Sequence, residues 1–248
     1  MWNRNRSLWL ASIGLLAVFV LGVQLASPRE QADPNLRAAF IDQLSPAYPN
    51  AEFRLGARAD IESFGLPLDV YEGEQVDVDL YRRIGEGHYG VLVIRSHSGI
   101  LEIEAAEVRR ITALFTNEQY AQHRYVAEQL NERILIVRPF EGDRQLTFGV
   151  APTFFEKSMR GEFPGSVVVV AGCSILGRTD LAQALVERGA SVVLSWDRSV
   201  SLEYVDGATS LLLRYLLVEG MTVQAAATAT MTETGPDPEF GAVLKYYP

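Results

Sequence analysis

Two residues in this chain have the type and the setting for nucleophilic chemistry. Cys173 is the single cysteine, and it follows the apolar run Val167–Ala171 through Gly172. His97 follows a second apolar run, Tyr89–Arg95, in the sequence Ser96-His97-Ser98-Gly99. A free thiol titrates at about pH 8.5 and is mostly protonated in neutral solution, so a cysteine nucleophile needs a base beside it. An imidazole can take that proton and return it to a leaving group. A third polar position, Asp197, lies at a strand end beside Trp196.

These residues need strands to position them. Residues 166–196 read as strand, helix, strand: an apolar run to Ala171, a helical pattern with Leu181, Leu185 and Val186 on one face, Gly189 as the stop, and a second apolar run into Trp196. A continuously apolar strand is buried on both faces, as in a parallel sheet under helices. Open α/β sheets place their chemistry at the carboxyl ends of such strands, where His97 and Cys173 fall. The fold class is therefore α/β, with a mainly parallel sheet.

The rest of the chain supplies further elements. Strands are expected at 66–71, 134–137, 145–150 and 243–247, and extended arms at 100–107 and 110–116. Helices are expected at 76–84, 117–129, 152–159, 204–218 and 222–231. A short amphipathic helix is expected at 35–44, from the spacing of Leu36, Phe40 and Leu44.

Composition narrows the function. The chain of 248 residues carries a net charge of −9, and Arg4 and Arg6 precede every acidic residue, so the remainder is more acidic still. That argues against nucleic acid, which demands a basic face. One cysteine forms no internal disulfide. Three scattered histidines and one cysteine give no metal-ligand spacing, and no cofactor is implied.

The N-terminus reads as a membrane anchor. Residues 8–26 are apolar except for Ser12 and Gln24. At about 1.5 Å per residue such a stretch spans a bilayer core of about 30 Å. Its length favours an uncleaved signal anchor over a cleaved signal peptide. Arg4 and Arg6 keep residues 1–7 cytoplasmic, which puts the C-terminal part outside a cell membrane in single-pass topology. Residues 27–50 then form a tether and the short helix, and residues 51–248 the α/β domain.

The order of these features resembles the caspase-like cysteine peptidase fold, which includes caspases, gingipains, clostripain, separase and CHAT domains. His97-Ser98-Gly99 is similar to that group's His-Gly turn, with Ser98 inserted, and Ala171-Gly172-Cys173-Ser174 is similar to its cysteine turn. The likeness covers about residues 66–235 and includes the helix ending at Gly189, the strand ending at Trp196 and the two helices around Gly220. It implies a three-layer α/β fold and a cysteine endopeptidase of protein or peptide substrates. In that reading Cys173 is the nucleophile and His97 the general acid and base. Gly99 and Cys173 supply the oxyanion amides. The segment at Trp196 and Asp197 lines the substrate pocket, where an acid would favour arginine or lysine.

Two other readings compete. A caspase-like domain can persist as a binding or sensor module without turnover. Residues 172–179 also have the G-x4-G spacing of a phosphate loop, although Arg178 stands where that loop carries lysine.

Overall fold

The computed structural model describes residues 35–103, 108–139 and 145–248. It opens with strand β1 (Arg37–Asp42), helix α1 (Ala51–Phe64), strand β2 (Leu68–Glu72), helix α2 (Val78–Arg83) and strand β3 (Tyr89–Arg95). An insertion follows: β4 (Ser98–Ile103), β5 (Arg109–Gln119), a short helix α3 (Val126–Leu130), β6 (Ile134–Val137) and β7 (Thr147–Val150). Helix α4 (Pro152–Lys157) leads to β8 (Val167–Ala171), α5 (Asp180–Glu187) and β9 (Val192–Trp196). Helix α6 (Leu202–Leu213) runs into a π-helical stretch (Arg214–Val218), then α7 (Val223–Thr234) and strand β10 (Leu244–Tyr247).

The fold is mixed α/β around a largely parallel sheet of order β10-β9-β8-β3-β1-β2. Neighbours from β2 to β9 pair in parallel, and β10 closes the edge antiparallel. Side chains alternate across it. Val91, Val93, Val167 and Val169 pack with α1, α6 and α7 on one face. Leu92, Ile94, Val168 and Val170 pack with α2, α4 and α5 on the other. Both faces are covered, so β8 is apolar at every position. The insertion forms an antiparallel sheet, β4-β5-β7-β6, whose Leu114, Phe148 and Val150 join that second cluster.

The expected strand–helix–strand unit at β8, α5 and β9 is present. The arms at 100–107 and 110–116 become the β4–β5 hairpin, whose residues 104–107 lie outside the described residues.

Three expectations need correction. The helix expected at 35–44 is strand β1, between β3 and β2. Residues four apart share a face in a strand as well as in a helix, so Leu36, Phe40 and Leu44 fit both. The intervening Ala38, Ala39 and Ile41 are all fully buried, which a one-sided helix would not allow. The α/β unit therefore begins before residue 51. The helix expected at 117–129 shrinks to α3, because β5 continues to Gln119 and Tyr120 and Tyr125 pack edge-on against Phe148. Helix α1 was not anticipated: it buries Phe53, Ala57 and Ile61 at fourth-residue spacing. It is capped by Asn50, whose side chain accepts from the Phe53 amide, and by left-handed Gly65.

The expected anchor at 8–26, residues 1–7 and the tether through residue 34 lie outside the described residues. Among the described residues, no helix is long and apolar enough to cross a membrane.

Candidate functional site

Strands β3 and β8 run side by side, with Arg95 paired to Ala171 as the last register partners. His97 and Cys173 therefore each leave the sheet two residues beyond the same paired position. The two turns are laced together. The Ser96 amide donates to the Ala171 carbonyl at 3.1 Å, and the Ser98 hydroxyl donates to the Cys173 carbonyl at 2.7 Å. Gly172 is required here, since a Cβ would lie 2.6 Å from both the Ser96 carbonyl oxygen and Ser98 Oγ. The inserted Ser98 thus holds the cysteine turn against the histidine turn. Ser174 completes that turn in the left-handed region at φ 58°.

Cys173 is half-buried among residues of the α6 face. Its thiol donates to the Val200 carbonyl at 3.8 Å. Burial pushes the thiol pKa up and Asp237 adds to the rise, with the Val200 contact opposing. The Asp237 carboxylate is occupied by the Ser201 amide and hydroxyl and by the Glu239 and Phe240 amides.

His97 is also half-buried. Its amide donates to Gln43 Oε1 at 2.9 Å, and its carbonyl accepts from Phe115 at 3.0 Å. The ring lies between Tyr48 and Phe115, with centroids 6.3 and 6.2 Å away. Burial, with the nearby Arg95 charge, lowers its pKa to about 4, so the imidazole is neutral at pH 7.

Beside His97 opens a cavity of about 310 Å³ at the carboxyl ends of β1 and β3. The connection from β1 runs over one face of the sheet and the connection into β3 over the other. Open α/β sheets bind ligands at such switch points. Gln43 and Asn117 join the two sheets across this cavity. Gln43 Nε2 donates to Asn117 Oδ1 at 2.8 Å, and Asn117 Nδ2 donates to the Gln43 and Gly73 carbonyls, both at 2.9 Å. Among the described residues, no cluster of three or more His, Cys, Asp or Glu side chains could hold a metal.

Under the site lies a buried ionic knot. Arg95, 1% exposed, donates Nε and Nη2 to the two oxygens of Asp206 at 2.7 and 2.8 Å. Its Nη1 donates to Asp42 Oδ1 at 2.9 Å and to the Tyr48 carbonyl at 3.0 Å. The knot thus clamps the ends of β1 and β3 to α6. Burial raises the Asp42 pKa, against the pull of Arg95.

The remaining expected site residues are otherwise engaged. Phe115 donates to His97, so in the alternating antiparallel ladder the next hydrogen-bonded pair is Gly99 with Ala113. That register points the Gly99 amide at β5. Trp196 is fully buried in the core beneath α6. Asp197 accepts from the Val243 amide at 2.9 Å and pairs with Lys245 at 2.9 Å, tying β9 to β10. Burial works against its ionisation, yet Val243 and Lys245 hold its carboxyl below the usual range. The expected cation receptor is therefore already neutralised within the fold. In the phosphate-loop candidate, the Ser174, Leu176 and Gly177 amides donate to the Arg198, Trp196 and Ser174 carbonyls. Those amides are not directed at an anion, and Arg178 pairs with Asp180.

Sequence reasoning missed Gln43, Asn117, Thr147 and Glu74, which line the cavity from four separate segments. None stands in a recognisable motif. No protein-family model matches this chain, and no curated protein matches it.

Proposed function

We propose that the chain is a caspase-like cysteine endopeptidase, held by residues 8–26 on the outer face of a cell membrane with its C-terminal domain extracytoplasmic. Cys173 is the nucleophile and His97 the general base and acid. The observation that carries this reading is the matched offset of the two residues from the Arg95–Ala171 pair on neighbouring parallel strands.

In this reaction His97 accepts the thiol proton as Sγ bonds to the substrate carbonyl carbon. The C–N bond then breaks as His97 returns the proton to the leaving amine, and water hydrolyses the thioester. A raised thiol pKa and a lowered imidazole pKa favour a neutral resting pair. The proton therefore moves during attack, and no standing thiolate is required. The Cys173 amide remains as the oxyanion donor of this reading.

The test is the pH–rate profile of iodoacetamide alkylation at Cys173, beside His97→Ala. General-base assistance is worth at least about a hundredfold in catalysis, and about tenfold faster labelling than the variant at pH 7 is expected. Equal rates would overturn the enzyme reading. They would support the second one, a binding or sensor domain without turnover, which the Val200 contact and the raised thiol pKa favour.

A further inference from the structure

Strand β4 is an outer edge of the insertion sheet and begins beside the cysteine turn. Its antiparallel ladder with β5 alternates. The Phe115 amide donates to the His97 carbonyl, so His97 with Phe115 is a hydrogen-bonded pair and Ile100 with Thr112 is not. A separate contact agrees: the Thr112 amide donates to Asp180 Oδ2 at 3.3 Å, away from β4. The amides and carbonyls of Ile100 and Glu102 therefore point outward from the sheet. They meet no partner among the described residues.

Natural sheets blunt such edges with proline, lysine or unpaired charge. Strand β4 has neither proline nor lysine, and its one charge, Glu102, is tied to Arg110 of β5 at 2.7 Å. Ile100 is 37% exposed, so the edge is open to solvent at its middle. The β8–α5 connection follows one face of the hairpin. It is held there by Ser98 Oγ on the Cys173 carbonyl and by Thr112 Oγ1 on Asp180 Oδ1 at 2.5 Å. A strand added at this edge therefore has one end beside the cysteine turn. Only Ser98, Ile100 and Glu102 turn outward, which matches a segment of about five residues. Pairing of that length falls short of the roughly 1,200 Å² that a stable interface between two copies buries, and it suits a single peptide.

We propose that the outer edge of β4 takes up an extended peptide as an added strand, recognised through its main chain. Ile100 and Glu102 exchange hydrogen bonds with it, and the peptide residue opposite Ser98 falls beside the cysteine turn. The class of ligand selected is an unfolded or loop segment of polypeptide, since a helix has already used its amides. Pairing needs no turnover. That the bound strand is also cut rests on the peptidase reading.

The test uses the full-length chain carrying Cys173→Ala and a fluorescein-labelled hexapeptide of alternating threonine and valine, followed by fluorescence anisotropy. Saturable binding is expected. Ile100→Pro should weaken it at least about tenfold, and Ile100→Ala at most about threefold. Proline is tolerated where an edge amide faces solvent, so Ile100→Pro should shift the thermal midpoint by no more than about 4 °C. Glu102→Pro repeats the measurement one step along the edge. A peptide N-methylated at its four central residues, which cannot pair in any register, should bind at least about tenfold more weakly than the parent. Equal affinity of the parent chain and both proline variants, equal binding of the methylated peptide, or no saturation by about 1 mM overturns the proposal. So does unfolding of both proline variants, which would show those amides to serve the ladder. A dimer in sedimentation that Ile100→Pro abolishes would name a second copy as the occupant, and overturns it as well. Binding without His97-dependent labelling of Cys173 would sink the peptidase reading alone, and labelling without binding would sink this one alone.

Discussion

Burial and the Arg95 charge bring His97 to a pKa of about 4, whereas an unfolded histidine titrates at about 6.5. Between those values the unfolded chain binds the proton and the folded chain does not. His97 therefore leaves stability unchanged above about pH 6.5 and lowers it as pH falls toward about 4. The loss at about pH 5 should be about 2 kcal/mol. Urea unfolding at about pH 7.5 and about pH 5 measures it, and His97→Gln should remove that difference. Asp42, raised by burial, acts with the opposite sign, so the comparison is between wild type and variant. The placement of His97 and Cys173 just beyond β3 and β8 was legible because each follows an apolar run. The fate of Asp197 was not, because a carboxylate at a strand end reads alike whether it faces solvent or a later strand. Its partner, Lys245, belongs to a strand that the sequence marks only as a short edge.

At the level of elements, the Arg95 knot decides how β1, β3 and α6 meet. Removing a buried guanidinium leaves Asp42 and Asp206 uncompensated, which typically costs about 3–5 kcal/mol. Arg95→Met should lower the urea midpoint accordingly, while the exposed Arg58–Glu62 pair should be worth at most about 1 kcal/mol. Strand β1 was hard to read for another reason. Its strand character comes from covered faces on both sides, a tertiary fact, whereas its sequence shows only fourth-residue spacing. By contrast β3, β6, β8 and β9 carry uninterrupted apolar runs and were placed within a residue or so of their observed ends. Helix α1 escaped notice because its three buried residues sit among charged and small ones.

Across the whole molecule, the insertion sheet shares a core with the central sheet. Phe148 and Val150 pack in one cluster with Leu92, Ile94 and Val168. The two sheets should therefore unfold together. Tryptophan fluorescence and far-ultraviolet circular dichroism should give coincident urea transitions. Phe148→Ala, at a fully buried position, should destabilise that single transition by about 3–5 kcal/mol. Separate transitions would show the insertion to be its own unit.

The antiparallel edge strand has one more consequence. Since β10 runs against β9, with Tyr247 opposite Val193, it ends near where the parallel strands begin, at the pole where β1 starts. His97, Cys173 and the cavity all belong to the other pole. Strands β10 and β1 are four places apart, a gap of about 19 Å. A flexible linker of roughly ten residues could bridge it. Circular permutation of a shortened chain beginning at β1 would set new termini in a loop of choice, and a tag placed after β10 would leave the mouth of the cavity uncovered.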